Sequence, residues 1–296
     1  MSNLTLVAQP SGQSCGALVR GINLSTELSA QEIAQLRSLW LQHQVISFPD
    51  QPLSIEHFKR LALAFGPHGD DPFLAAMPGH AHVVEIKREA DETTALFAES
   101  WHSDWSFLPT PPAGTMLHGC VIPPIGGDTV FANQYAAYEA LSDAMKRSIE
   151  GRTGIHSARK GYARDGLYGD RAKGRSMAIV ANDSARKTQL HPLVREHPET
   201  GREALFVNPG YTIGIDGMGD EGAALLVELF EHQARAEFVY RHRWQADMVL
   251  LWDNRCLIHA ATGGYQGYRR ELRRITIAEQ TRPGRPRPSQ NEPALD

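Results

Sequence analysis

Apolar residues recur at two different spacings along this chain, and the change falls near residue 80. Ser29 and Glu32 stand three apart just before Ile33, Leu36, Leu39 and Trp40, which predicts a capped helix with one face in the core. Ile55, Phe58, Leu61, Ala62 and Phe65 predict a second helix, opening at Ser54 and stopped by Gly66 and Pro67. Residues 45–48 read as a short strand, and the glycine-broken apolar runs of 13–28 as a strand and turn at the domain edge. From Val83 the runs shorten to strand length, over residues 83–87, 115–122, 129–131, 204–207, 237–240, 248–252 and 274–278. Helices do not follow these runs regularly and turn-rich segments separate them, so a parallel Rossmann-type sheet fits poorly and a β-sandwich or barrel fits better. Two helical insertions interrupt the strands, around 136–149 and around 221–233, where Leu225, Leu226, Leu229 and Phe230 form an apolar stripe. No linker-like stretch divides the strands, so residues 1–280 are expected to form one domain.

Residues 159–187 break the pattern. Four glycines, two tyrosines and eight Lys or Arg with little hydrophobic periodicity make a long surface loop, and a loop of that length in a compact domain is expected to be an active-site lid or disordered; a basic RNA-binding segment is a third reading, diluted by the glycines and three aspartates. The Pro-rich, polar residues 281–296 read as an unstructured tail. Composition then removes several function classes. A formal charge of −4 gives no overall field to hold nucleic acid or an anionic membrane. Met1 to Pro10 shows no export pattern and no stretch approaches a membrane span, so a cytoplasmic protein is expected. Cys15, Cys120 and Cys256 are far apart and outside any Cys-x-x-Cys arrangement, which suits reduced packing thiols better than a zinc-thiolate site.

The chemistry starts at Trp101-His102-Ser103-Asp104-Trp105. In a strand, His102 and Asp104 would share one face, with Trp101, Ser103 and Trp105 on the other. Among 13 histidines an isolated His-x-Asp is most often a solvated pair, so the motif needs company. The stretch from Leu251 to His259 offers His259 as a third ligand. Two imidazoles and one carboxylate on one face of a metal, with the other face open, suit non-haem Fe(II) centres that activate oxygen. Zinc accepts the same ligands, which keeps a hydrolase in play. Eleven residues beyond His259 begins Arg270-Glu271-Leu272-Arg273-Arg274, where a strand would turn Arg270 and Arg274 to one face. By itself this run reads as a solvated basic cluster; entering a cavity, two guanidiniums would receive two anions.

Together with Pro111-Pro112-Ala113-Gly114, Gly126-Gly127-Asp128-Thr129, the run from Ala136 to Ser142, His191-Pro192-Leu193-Val194-Arg195 and Trp252-Asp253-Asn254-Arg255, these stretches resemble the taurine dioxygenase family, which includes the aryloxyalkanoate dioxygenases. The resemblance runs in order over about residues 15–280. It implies a mainly β fold, a double-stranded β-helix (jelly-roll, cupin-like) core with helices outside, and an enzyme dependent on Fe(II), 2-oxoglutarate and O2. By the same resemblance His102, Asp104 and His259 bind the metal, Thr129 and Arg270 hold the distal carboxylate of 2-oxoglutarate, Arg274 takes the anionic head of the substrate, and Phe206 forms an aromatic wall. The implied reaction converts 2-oxoglutarate to succinate and carbon dioxide while an aliphatic carbon of a small anionic substrate is hydroxylated. With a heteroatom on that carbon, as in a sulfonate, alkyl sulfate or aryloxyalkanoate, a C–S or C–O bond would then cleave. Asp104 argues against a halogenase. Family members are often dimers or tetramers, so self-association is expected.

Departures from the family pattern bear on the substrate. Asp71 stands where the taurine enzyme has a sulfonate-binding histidine, Leu74 replaces an aromatic residue, and Trp105 and Phe107 add bulk beside the metal ligands. An aspartate repels a sulfonate, so taurine is disfavoured; facing the pocket, Asp71 would suit a substrate that also carries a positive group, whereas in a surface turn it would do neither. The rivals are a zinc hydrolase, which leaves Arg270 and Thr129 without a role, and a non-catalytic barrel. A nucleic-acid binder acting through residues 269–274 fits least.

Overall fold

Alternation along two neighbouring strands creates two cores. In Val249–Asp253, Val249 and Leu251 join one apolar cluster while Leu250 and Trp252 join another, as a period of two requires. Arg270–Ile277 repeats this, with Ile275 and Ile277 on the first face and Leu272 on the second. The first face is covered by two helices: Ala30–His43 contributes Leu36 and Trp40, and Ile55–Leu63 contributes Phe58, Leu61 and Ala62. The second face meets a smaller sheet through Phe131, Tyr240 and Leu257. The computed structural model from which this description comes covers residues 6–170 and 172–280, so the expected tail at 281–296 lies outside the described residues.

The large sheet has eight strands in the order Val7–Pro10, Ala17–Arg20, Val45–Phe48, Val249–Asp253, Gly114–Val121, Arg270–Ile277, His80–Arg88 and Ala76–Met77. All its pairings are antiparallel except that of Ala17–Arg20 with Val45–Phe48. Facing it, Thr129–Asn133 lies between Val239–His242 and Leu257–Ala261. A further sheet sets Thr153–Ser157 between Thr212–Ile215 and Thr188–Pro192. This is the jelly-roll architecture with helices outside that the sequence led us to expect. No helix among the described residues is long and apolar enough to cross a membrane.

Local hydrogen-bonding chemistry sets several element ends. Ser29 Oγ accepts from the Glu32 N–H at 3.2 Å and Glu32 Oε2 accepts from the Ser29 N–H at 2.7 Å, the expected capping box. The second helix ends at Leu63, two residues short of Phe65. The helix expected over 136–149 is two helices, Gln134–Glu139 and Asp143–Ile149, because Ser142 caps the second by accepting from the Met145 N–H. Residues 237–240 divide between a 3-10 turn, Ala236–Phe238, and the strand Val239–His242. The stretch 159–187 is more ordered than its composition suggested: a short helix, Arg159–Tyr162, opens it, a 3-10 turn, Asp183–Arg186, closes it, and Tyr162, Ala163, Met177 and Ala185 are buried.

The third sheet was invisible to a hydrophobic scan because its strands bury histidines in place of aliphatic residues. His156 and His191 each pack against the Phe206 ring, at 5.6 and 5.5 Å. Burial, then the Arg195 charge beside it, takes His191 down to about 4; burial, then His191 and Arg195, takes His156 to about 3. Both are therefore neutral in the fold, while the unfolded chain protonates them below about pH 6.5. Stability is accordingly full above pH 6.5 and is lost as pH falls from there towards 4. Urea midpoints measured across that range should fall, with a shallower slope between pH 6.5 and 5 in His156→Gln; an unchanged slope would contradict burial of a neutral imidazole.

Candidate functional site

His259 lies in Leu257–Ala261, and the free edge of that strand accepts one further residue: His102. The His102 N–H donates to the His259 carbonyl at 3.0 Å and the His259 N–H to the His102 carbonyl at 2.7 Å. Two imidazoles therefore leave adjacent backbones, with ring centroids 4.2 Å apart. Beyond His102 the chain turns and does not continue as the expected strand; a turn, not strand alternation, brings Asp104 back beneath the histidines. Ser103 Oγ anchors the turn by donating to the Asn254 carbonyl at 2.7 Å, and Trp105 takes a positive φ of 48°. Gly210 completes the fit, since a Cβ there would stand 2.9 Å from His102 Cβ.

Asp104 Oδ1 lies 3.6 Å from His102 Nε2 and 3.7 Å from His259 Nε2. The three atoms fall within 4.8 Å of one another and all three residues are buried. His102 Nδ1 donates to the Ser100 carbonyl at 2.8 Å, which turns Nε2 towards Asp104. Burial, then His102, presses His259 down to about 3, so His259 presents a neutral ring. Burial raises the pKa of Asp104, but Arg274 above all, then His259 and His102, hold it well below the usual carboxylate range. Asp104 Oδ2 accepts from Thr115 Oγ1 at 2.6 Å; Thr115 Oγ1 accepts from Asn254 Nδ2 at 3.0 Å, and Asn254 Oδ1 from Trp252 Nε1 at 2.8 Å. Two imidazoles and one oriented carboxylate are the donor set of a mononuclear Fe(II) centre, so these residues fit that metal.

A cavity opens from this cluster towards the large sheet and is lined by His102, His259, Thr129, Leu117, Arg270 and Arg274 among others. Thr129 Oγ1 accepts from Trp244 Nε1 at 3.0 Å, which leaves its own hydrogen free to donate. Arg270 is buried, gives Nη2 to the Gly127 carbonyl at 3.0 Å, and has no partner for Nε among the described residues. Gly127, at φ 70°, permits this approach, because a Cβ there would lie 3.0 Å from Arg270 Nε.

Arg270 and Arg274 share the inner face of their strand as expected, but their surroundings differ. Arg274 is already held by carboxylates: Nε donates to Asp71 Oδ1 at 3.0 Å and Nη1 to Asp104 Oδ1 at 3.1 Å. Asp71 is inward-facing and not a surface turn residue; the same Oδ1 accepts from Trp105 Nε1 at 2.8 Å and Thr276 Oγ1 at 2.9 Å. Oδ1 is thus taken up by Arg274, Trp105 and Thr276, while Oδ2 is buried without a partner among the described residues. Trp105 stacks behind Arg274, 5.3 Å from its guanidinium, and is not among the cavity's lining residues. Phe206 also stands elsewhere, against His156 and His191 with Arg195 at 4.4 Å; the aromatic rings beside the histidine pair are Trp252, 4.7 Å from His259, Phe131, 5.8 Å from His259, and Tyr211, 5.9 Å from His102. Sequence reasoning missed Tyr211 and the lining residues Phe97, Arg175, Met177 and Tyr265. For Arg175 and Met177 the signal was the glycine-rich composition of 159–187, which marked the segment without marking a residue; Phe97, Tyr211 and Tyr265 lie outside any stretch the sequence singled out.

Fold and site together define a class, the jelly-roll oxygenases dependent on Fe(II) and 2-oxoglutarate. Residues 8–276 match the model of the taurine catabolism dioxygenase TauD, TfdA family, and the chain belongs to that family. It is 34% identical over 292 residues to the alpha-ketoglutarate-dependent 2,4-dichlorophenoxyacetate dioxygenase of Cupriavidus pinatubonensis, covering 93% of this chain and 99% of that one. To the alpha-ketoglutarate-dependent sulfate ester dioxygenase of Pseudomonas putida it is 31% identical over 282 residues, 93% and 90% of the two chains. The crystal structure of a taurine dioxygenase from Burkholderia xenovorans superposes with a TM-score of 0.77 at 31% identity, over 93% of this chain and 91% of that one. The protein is thus a 2-oxoglutarate-dependent dioxygenase, an enzyme that uses Fe(II), 2-oxoglutarate and O2.

The Thr115 hydroxyl orients Asp104 and touches nothing in the cavity. Thr115→Val keeps the shape and removes the bond, so Fe(II) affinity should fall by about 10- to 100-fold in a chelator-competition titration. Unchanged affinity would show that Asp104 needs no such support.

Proposed function

We propose that His102, Asp104 and His259 hold the iron, that Thr129 and Arg270 hold the distal carboxylate of 2-oxoglutarate, and that the enzyme oxidises an aliphatic carbon of a small organic anion. The observation that carries this reading is Arg270: a buried guanidinium with an unpaired Nε, in the same cavity as the metal cluster. A buried cation without an anion is costly, and a planar fork accepts a carboxylate in bidentate fashion. A zinc hydrolase would leave this arginine without a partner.

Bound Fe(II) supplies the activation of O2, with one oxygen atom entering succinate as carbon dioxide is lost and the other entering the substrate as a hydroxyl. The chain's own residues supply orientation. Arg270 and Thr129 grip the far end of the keto acid, which fixes the direction in which its other end points. Ser100 and Thr115 hold His102 and Asp104 in the donor geometry. Leu117, Trp252 and Leu272 line the cavity with apolar surface and exclude water from the polar contacts.

Relatives acting on 2,4-dichlorophenoxyacetate, (S)-phenoxypropionate and sulfate esters support a primary substrate of the aryloxyalkanoate, alkyl sulfate or sulfonate type. Hydroxylation beside the heteroatom of such a molecule gives a product that collapses with C–O or C–S cleavage. The reading extends to a single catalytic domain over residues 1–280, a lid formed by 159–187, a cytoplasmic location and a homodimer or homotetramer. Arg175 and Met177 in the cavity wall support the lid, because they bring that segment to the site.

Anaerobic titration of the Fe(II)-loaded protein with 2-oxoglutarate should produce a weak visible charge-transfer band. In Arg270→Ala the band should need at least about tenfold more 2-oxoglutarate, as expected for loss of a charged hydrogen bond. No band with iron demonstrably bound would overturn the reading.

A further inference from the structure

Arg88, Arg175, Arg270 and Arg274 all line the cavity at the metal cluster, and three of them have assigned partners. Arg274 is bound by Asp71 and Asp104. Arg88 gives Nη2 to the carbonyls of Glu92 and Thr94, at 2.8 and 2.9 Å, and Nη1 to Glu92 Oε1 at 3.4 Å. Arg270 faces the 2-oxoglutarate position. Arg175 remains.

Its side chain is 6% exposed, so it is buried almost completely. Of its five N–H donors the structure shows one hydrogen bond, from Nη2 to the Ala95 carbonyl at 2.8 Å, and Nε has no partner among the described residues. Its nearest carboxylate, Glu92, stands at the 4.0 Å limit of an ion pair. That carboxylate is engaged elsewhere: Oε2 accepts from the Ser176 N–H at 2.9 Å and from Ser176 Oγ, while Oε1 accepts from Thr94 Oγ1 and Arg88. The guanidinium also lies 5.0 Å from the Tyr168 ring, which fixes its plane without neutralising it.

Charge in the cavity leads to the same residue. The four arginines are opposed by Glu92, Asp71 and Asp104. Lys87 is directed to Glu89, 3.0 Å away. Adding a divalent metal and dianionic 2-oxoglutarate leaves one positive charge, which calls for a monoanion. The same cavity wall carries the apolar side chains Ile86, Leu96, Phe97 and Met177.

We infer, on the basis of the function proposed above, that Arg175 receives the anionic group of the primary substrate, and that this substrate is a monoanion with an apolar body. The position that the family resemblance assigns to this task is Arg274, which here is committed to two carboxylates. Arg175 is therefore a specificity-determining residue. It enters the cavity from the 159–187 segment, and the apolar body packs on the side chains beside it.

The test measures binding, not turnover. Protein loaded with Mn(II) and 2-oxoglutarate is titrated calorimetrically with 2,4-dichlorophenoxyacetate, (S)-2-phenoxypropionate and hexyl sulfate, and with the neutral methyl ester of the first. Wild type should bind at least one anion saturably and the ester more weakly. Arg175→Gln should weaken the anion by about tenfold or more and leave the ester unchanged, with Arg175→Lys intermediate. Binding of 2-oxoglutarate to all three proteins serves as the control for folding and for the cofactor site. Loss of anion and ester alike, unchanged anion binding in Arg175→Gln, or no saturable binding of any probe by wild type would each overturn the inference. If 2-oxoglutarate fails to bind to wild type, the underlying function has failed and the inference falls with it; if 2-oxoglutarate binding weakens only in Arg175→Gln, Arg175 belongs to the cofactor and not to the substrate.

Discussion

The two backbone hydrogen bonds between His102 and His259 are the constraint on which the site depends. They join a turn that would otherwise hang free to the edge of a strand inside the sandwich, and so convert residues 157 positions apart into neighbours. Nothing in an imidazole fixes its own direction. Here the direction comes from main chain, first through this bridge, then through the Ser100 carbonyl behind His102. Asp104 is placed by the turn that follows, and the chain of Thr115, Asn254 and Trp252 holds its far oxygen. The three candidate donors are thus held close together by the fold itself.

A second organising fact is that the cavity contains more guanidinium than the protein itself neutralises. Arg274 bridges Asp71 and Asp104 and so ties the Asp104 carboxylate to the large sheet. Arg270 and Arg175 are left with unpaired nitrogens, and both are buried. Desolvated cations of this kind are tolerated where a ligand completes them. The family relationship and the charge pattern thus agree by separate routes on an enzyme for anions.

The fold was legible where one kind of residue had one thing to do. The capping pair Ser29 and Glu32 and the aliphatic runs of the large sheet state their own geometry. The third sheet was hidden because His156 and His191 occupy core positions that a hydrophobic scan counts as polar. That His102, Asp104 and His259 would come together was legible for a chemical reason, since few tasks call for an imidazole and a carboxylate two apart with a distant second imidazole. Their actual geometry was not: His102 and Asp104 converge through a turn, which a strand pattern does not describe. Substrate contacts were least legible, because Arg274 and Phe206 were assigned roles by position, whereas partners decide what a side chain is free to do. Asp71 took Arg274 and a histidine pair took Phe206.

The strand Arg270–Ile277 lies between Gly114–Val121 and His80–Arg88, paired on both sides. Its inward residues are spaced about 7 Å apart, so it works as a ruler whose marks cannot slide. A shift of a single residue would exchange every inward side chain for an outward one. The separation between Arg270 and Arg274 is therefore fixed by the sheet, and what can vary around it is what the surrounding loops bring to an unchanging scale.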